Sequence, residues 1–325
     1  MDGDLYNSVI KPIGQELEAF KKYFHSLFYT DEDDLRPLLE RLSRQDGKML
    51  RPVLVLLTAK YFGFPTERIY NVAAAVELLH TSTLIHDDVV DNSMLRRGKE
   101  SFNALFDNKI AVLFGDYVVA MSLAEMAKSG DLRNIQYMSA LSRTLSSGEL
   151  SQLFVRSSNA VSEESYYDII TRKTASLFSD CARMSATTCG ATEREVQYFA
   201  DFGLYAGICF QIKDDIFDYF PSSDTGKPSG NDMSEGKLTL PAIYAISTSE
   251  TDMSDDIISV RNLTATPDQL SSMTDFAIAR GGIEYAEKRM ADYSEKALAC
   301  LPHNMSAELK EAFASYIQLI VNRNR

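Results

Sequence analysis

Residues 67–92 read ERIYNVAAAVELLHTSTLIHDDVVDN. Ile69, Val72, Ala73, Val76 and Leu79 recur at spacings of three and four, the period of a helix face. Thr66, just after Pro65, is placed to cap the start. At ~1.5 Å per residue the spacing predicts a helix of roughly 39 Å. It is apolar for most of its length and carries Asp87, Asp88 and Asp91 at its far end. Asp87 and Asp91 then lie one turn apart on one face, with Asp88 about 100° away.

The same period recurs along the chain, over about 3–28, 33–44, 48–62, 108–128, 132–155, 163–188, 193–219, 237–247, 266–299 and 306–322. Glycine (16) and proline (9) are sparse, and no set of short alternating runs marks strands. Connections such as DGK (46–48) and KSGD (128–131) are short and polar. No linker, composition shift or internal repeat divides the chain, so one all-α domain spanning 1–325 is expected. One segment is out of character: 221–236, PSSDTGKPSGNDMSEG, has Met233 as its only apolar residue. Its length and polarity suggest a binding loop or lid, mobile until a ligand orders it.

The composition narrows the function. Of 325 residues, 45% are hydrophobic and 24% charged, which excludes disorder. Lys plus Arg is 33 against 46 Asp plus Glu, a net charge of −13. That field repels nucleic acid, so no nucleic-acid partner is expected. It also repels phosphorylated metabolites, so an anionic ligand needs local cations or a bound metal. Cys181, Cys189, Cys209 and Cys300 form no C-x-x-C and read as reduced thiols. The start, MDGDLYNSVI, lacks the basic and apolar character of a signal peptide, and no ~18-residue apolar run is present. A cytoplasmic protein without a membrane span is expected.

The acidic helix end occurs twice. FQIKDDIFDYF (210–220) repeats it with Asp214, Asp215 and Asp218, on a helix whose Gly203, Gly207 and Gln211 lead toward the cluster. Glycines there allow a neighbouring helix or a ligand to come close. Carboxylates at a helix C-terminus oppose the macrodipole, and like charges ~6 Å apart repel by roughly 2–3 kcal/mol at an effective dielectric near 20. A hard cation offsets both, and all-oxygen ligands point to magnesium. About two or three ions would balance six aspartates and still share their shells with substrate phosphates. Cations for a diphosphate lie beside the motifs: Lys48 and Arg51 in GKMLRP, His80 seven residues before Asp87, Arg96 and Arg97 in MLRRG, Lys173 and Thr174 in RKT, and Lys227 and Lys237.

In these residues the chain resembles a trans-type polyprenyl diphosphate synthase. GKMLRP, ELLHTSTLIHDDVVDNSMLRRG, RKT, GICFQIKDDIFDYF and GKPSGNDMSEGKLTLP follow the family's order and approximate spacing. The resemblance covers about residues 15–320, nearest to bacterial medium- and long-chain members. It implies an isoprenoid-synthase-like helical bundle around a central cavity, commonly a homodimer. Transferred to this sequence, it makes Asp87, Asp88, Asp91, Asp214, Asp215 and Asp218 magnesium ligands. It puts Lys48, Arg51, His80 and Arg97 on isopentenyl diphosphate, and Arg96, Lys173, Thr174, Gln211, Lys227 and Lys237 on the allylic diphosphate. Asp87, Asp88, Asp91, Lys173 and Asp214 would carry the catalysis: ionisation of the allylic diphosphate, attack by the isopentenyl double bond, and loss of a proton.

Three rivals fit less well. A class I terpene cyclase has no use for GKMLRP and usually lacks a second D-D-x-x-D. An HD-type phosphohydrolase would use His86-Asp87 but needs further histidines, and only His25, His80 and His303 remain. An interaction-only subunit would not need both motifs intact. The resemblance also implies a product length. Bulky aromatics one turn before the first motif go with short products in the family, whereas Ser82 and Thr83 stand here. They predict an open path for the growing tail, with a floor deeper in the bundle near Val118, Met121 or Ser122, and a product of about six to ten isoprene units, one unit spanning roughly a helical turn of ~5.4 Å. A short-chain farnesyl or geranylgeranyl product is the alternative.

Overall fold

A computed structural model describes residues 2–44, 47–63, 67–96, 98–156, 161–220 and 230–323. The described chain begins with α1 (Asp2–Ile10), α2 (Gly14–Ser26), α3 (Arg36–Ser43), α4 (Leu50–Tyr61) and α5 (Glu67–Val90). Next come a hairpin of β1 (Leu95–Arg96) and β2 (Lys99–Glu100), then α6 (Phe102–Phe106), α7 (Asn108–Lys128) and α8 (Leu132–Arg156). After these follow α9 (Glu163–Ile170), one turn of π-helix (Thr171–Ala175), α10 (Ser176–Thr188) and α11 (Glu193–Asp218). The chain ends through α12 (Asn231–Ser234), α13 (Leu240–Ser247), α14 (Ser254–Arg261), α15 (Pro267–Ala279), α16 (Gly282–Ala299) and α17 (Ala307–Val321).

The long helices form where the period predicts them, and the differences have local causes. The expected 3–28 helix breaks into a 3₁₀ turn at Lys11–Ile13, where Pro12 removes an amide donor. The 266–299 helix breaks at Gly281, which has φ +76°, and Gly282 then packs so tightly that a Cβ there would meet the Pro241 carbonyl at 2.4 Å. The 163–188 helix contains the π-turn. Four short elements lie outside the expected helices: the hairpin (Leu95 opposite Glu100, Arg96 opposite Lys99), α6, α12 and α14. Within the polar 221–236 segment, α12 forms around buried Met233, while 221–229 lie outside the described residues. So do Pro65 and Thr66, the expected cap of α5.

Helices α4 and α5 are the axis of the bundle. Val53–Leu57 and Val72–Val76 are without exposed surface on every face, beyond the single stripe the period implied. Helix α5 runs against α7, α4 and α10, and α10 in turn packs on α11. Helix α11 is started by a capping box in which Thr192 and Glu195 satisfy each other's amides. Buried apolar side chains make one continuous cluster from Val9 to Ile320 among the described residues. The C-terminal ends of α5 and α11 emerge from this core at the same end of the bundle, carrying the two acidic motifs.

Among the described residues one helix, α7, is long and apolar enough to cross a membrane by length and composition. It lies along α5 with Ala111, Phe114, Val118 and Ser122 buried. Its other face leaves Leu113 and Leu123 exposed.

Candidate active site

The two motifs share a cavity of about 480 Å³, bordered by Asp91 from the first, Asp215 from the second, and Lys173, Gln211 and Lys237. Asp87 and Asp91 make no side-chain hydrogen bond or ion pair among the described residues. Loss of water, then the nearby Glu149, raises the Asp87 carboxyl to about 6, against the opposing pull of Lys173. Asp91 is raised too, by lost hydration first, while Lys237 and Lys173 pull it down. Asp88 differs. It is buried, and Arg96 Nε donates to both its oxygens at 2.8 and 2.9 Å. The hairpin that sequence periodicity did not show is what turns Arg96 back onto it.

In the second motif every carboxylate is engaged. Tyr166 donates to Asp215 Oδ2 at 2.6 Å and Gln211 to Oδ1 at 2.8 Å. Burial, and then Asp232, push the Asp215 carboxyl well above its usual range. Asp218 accepts from the amides of Asn231 at 3.1 Å and Asp232 at 2.9 Å, so it caps the start of α12. Asp214 is paired with Arg323, whose guanidinium also donates to the Phe210 carbonyl at 2.9 Å and stacks 3.8 Å from the Phe210 ring.

The cations fall into two groups. Lys173 and Thr174 sit on the π-turn, a geometry often found at functional sites. Lys173 reaches α8, with its ammonium 2.7 Å from Glu149 and 3.1 Å from Gln152. Thr174 reaches α11 and donates to Gln211 at 2.6 Å. Lys237 is paired with Glu235; burial alone would lower it, but Glu235, Asp232 and Asp91 outweigh that and raise it. Arg51 forms the other group. It is buried at the start of α4, 4.7 Å from the Phe178 ring, with its Nε unpartnered. Burial lowers its proton affinity while Glu77 supports its charge. Lys48 lies exposed just before α4, and His80 stands one turn beyond Glu77 on α5. Arg97 and Lys227 lie outside the described residues.

Several groups facing this site were not singled out from the sequence. Glu149, Gln152, Tyr166, Asp232 and Glu235 border the cavity. The Asp232 carboxyl is raised to about 7 by burial and by Asp218. Glu149 and Gln152 had a signal, a G-E-x-x-Q run inside a long helix; Arg323 had none beyond its charge. The glycine stripe of α11 serves helix packing. A Cβ on Gly203 would lie 2.4 Å from the Phe178 carbonyl, and one on Gly207 2.5 Å from Ala175 Cα. His86 packs on Gly115 of α7 and lies 3.2 Å from the Val112 carbonyl, a helix contact. Ser82 is buried with its hydroxyl on the Leu79 carbonyl, and Thr83 bonds the His80 carbonyl; neither borders the cavity.

No three of the described carboxylates already converge as a metal cage. Asp87 and Asp91 nevertheless fit a hard cation. They are unpartnered, one turn apart, and short of positive charge, which suits an ion that takes its remaining ligands from water and phosphate.

The polyprenyl synthetase family profile matches residues 32–274. The chain belongs to this family. It is a prenyltransferase. Octaprenyl diphosphate synthase of Escherichia coli (strain K12) is 33% identical over 280 residues, 86% of this chain and 87% of that protein. Among solved structures, geranylgeranyl pyrophosphate synthase from Bacteroides thetaiotaomicron is 40% identical with a TM-score of 0.86, covering 98% of this chain and 100% of that one. Decaprenyl diphosphate synthase from Rhodobacter capsulatus is 30% identical with a TM-score of 0.90, covering 98% and 99%.

Proposed function

We propose that this prenyltransferase joins isopentenyl diphosphate to an allylic diphosphate and repeats the step, releasing a long all-trans polyprenyl diphosphate. The observation that carries the reading is the pair Asp87 and Asp91: unpartnered among the described residues and with raised proton affinity, Asp91 bordering the same cavity as Lys173 and Lys237, and Asp87 one turn before it within the pull of Lys173. About two or three magnesium ions, once bound at the aspartates, would neutralise the departing diphosphate. The chain's own groups do the rest. Lys173, Thr174, Gln211 and Lys237, with Arg96 and Lys227, hold the allylic diphosphate. Lys48, Arg51, His80 and Arg97 hold isopentenyl diphosphate on the α4 side. Arg51 is buried at the start of α4 with its Nε unpartnered, and a guanidinium can grip a phosphate in two places. Fixing both reactants in line supplies much of the acceleration, and no protein nucleophile is required.

The relative named for an octaprenyl product supports a long chain, of about six to ten units at roughly one unit per ~5.4 Å turn. A geranylgeranyl product is the second reading, favoured by the 40% identical structure that bears that name. A homodimer fits the exposed Leu113 and Leu123 on α7, which a second copy would cover. We place the enzyme in the cytoplasm, with transient membrane contact as its product leaves.

Mass analysis of the products from farnesyl and isopentenyl diphosphates with magnesium decides the length. Products within the six-to-ten-unit range are expected. A single four-unit product would replace the long-chain reading with the second one, and no condensation would overturn both. Ser82→Tyr should shorten the chain to about three or four units, a blocked ~5.4 Å turn removing the later elongation steps. An unchanged distribution in the folded, active variant rules Ser82 out of the tail path.

A further inference from the structure

Lys173 and Thr174 are neighbours in the chain, yet they serve opposite walls of the site. Lys173 reaches Glu149 and Gln152 on α8, and Thr174 reaches Gln211 on α11. The π-turn that carries them is wedged between these two helices, with a glycine on each side. Gly207 of α11 faces Ala175, as described above. On α8, a Cβ built on Gly148 would lie 2.8 Å from Arg172 Cβ and 3.2 Å from the Lys173 amide nitrogen. Carbon atoms in contact normally keep about 3.5–4.0 Å apart. Only a residue without a side chain lets the backbone of α8 approach the turn so closely. The next residue, Glu149, and Gln152 one turn on, then meet the lysine ammonium.

We propose that Gly148–Gln152 of α8 is the positioning element for the diphosphate-binding lysine. Gly148 admits the π-turn, and Glu149 and Gln152 hold the ammonium of Lys173 aimed into the cavity. This rests on Lys173 being a diphosphate ligand. Adding one methyl group at Gly148 must push the turn away by several tenths of an ångström or more, and Lys173 moves with it. Displacements of about 1 Å at a binding group cost up to a hundredfold in rate. The proposed isopentenyl diphosphate ligands Arg51 on α4 and His80 on α5 make no contact with Gly148 and should not feel the change. Arg172 offers a compensating partner. Its Cβ is the atom that the new methyl would strike, and its guanidinium turns away to Asp168 at 2.9 Å.

The test compares wild type, Gly148→Ala, Arg172→Gly and the double variant Gly148→Ala/Arg172→Gly. Binding of inorganic pyrophosphate with magnesium is measured by calorimetry, and KM is measured for farnesyl and isopentenyl diphosphates separately. Gly148→Ala should weaken pyrophosphate roughly tenfold and raise the farnesyl diphosphate KM by a similar factor, with the isopentenyl diphosphate KM within about twofold. Arg172→Gly alone should stay near wild type, and the double variant should recover most of the loss, a non-additive pair. Unchanged pyrophosphate affinity in a folded Gly148→Ala, or a double variant no better than the single, overturns the proposal. If Gly148→Ala does not fold, Gln152→Leu must still weaken pyrophosphate without moving the isopentenyl diphosphate KM, and failure to do so overturns it equally. A wild type that binds pyrophosphate more tightly than Gly148→Ala but never condenses prenyl substrates would remove the proposed reaction and leave the positioning role standing.

Discussion

The two D-D-x-x-D motifs are alike in sequence and unlike in the fold. In the first, Asp87 and Asp91 have no side-chain partners among the described residues, and only Asp88 is tied, by the Arg96 fork. In the second, Arg323 holds Asp214, Tyr166 and Gln211 hold Asp215, and the α12 amides hold Asp218. The spacing of three carboxylates on a helix sets only which face they occupy. What stands opposite that face decides whether they are poised for a cation or already satisfied. The first motif thus has two carboxylates open to a ligand, whereas the carboxylates of the second are tied into the fold by hydrogen bonds and an ion pair. Substitutions in the two should have opposite effects on stability.

The largest effect is expected at Asp87. Asp87→Ala should lower turnover on the order of a thousandfold, about 4 kcal/mol of barrier, by removing a ligand that acts on the departing charge. Its thermal stability should equal or exceed that of wild type, because a carboxylate beside Asp91 and Glu149 is lost. Near-normal turnover at saturating magnesium would remove Asp87 from the catalytic group. A marked fall in melting temperature would instead place it with the satisfied carboxylates.

The counterpart in the second motif is Tyr166→Phe. It leaves Asp215 Oδ2 buried without its donor, while Gln211 still serves Oδ1. A buried acceptor left unmade costs about 1–3 kcal/mol, so stability should fall where Asp87→Ala spares it. Turnover should drop by roughly tenfold or less, since ~1.4 kcal/mol of misplacement suffices for that factor. Chemical denaturation alongside steady-state kinetics checks both. A variant as stable as wild type would mean that Asp215 gains nothing from the phenol.

The difference between the motifs explains what the sequence could reveal. Long apolar helices were legible because burial follows the 3.6-residue period, and α5 and α11 lie where that period places them. The motif aspartates were legible because they repeat. The satisfied state of the second motif was not, because its partners lie far along the chain: Tyr166 is 49 residues from Asp215, and Arg323 is 109 from Asp214. The π-turn left no trace either. TRKT has no glycine or proline to mark a break, and the notch that stabilises it belongs to Gly148 on another helix. The hairpin at 95–100 is too short for strand alternation to show.

The smallest predicted effect concerns pH, and it sharpens the claim that the first motif stands open to a ligand. In the fold, Asp87 keeps its proton up to about pH 6, while the unfolded chain releases it near 3.8. Between those values the folded state binds more protons, so stability falls as pH rises, and the loss is complete above about pH 6. Many other carboxylates titrate over the same range, so the readout is the difference between wild type and Asp87→Asn, which mimics the protonated group. The two proteins should melt together near pH 4. By pH 7 the variant should be more stable, by about 1–3 °C for a chain of this size. Magnesium should reverse the order, because it binds the ionised carboxylate that the variant lacks, and its stabilising effect on wild type should grow across the same window. A gap between wild type and variant that is constant from pH 4 to 7 without metal would mean that Asp87 is as comfortable as Asp218, and the contrast between the motifs would fail.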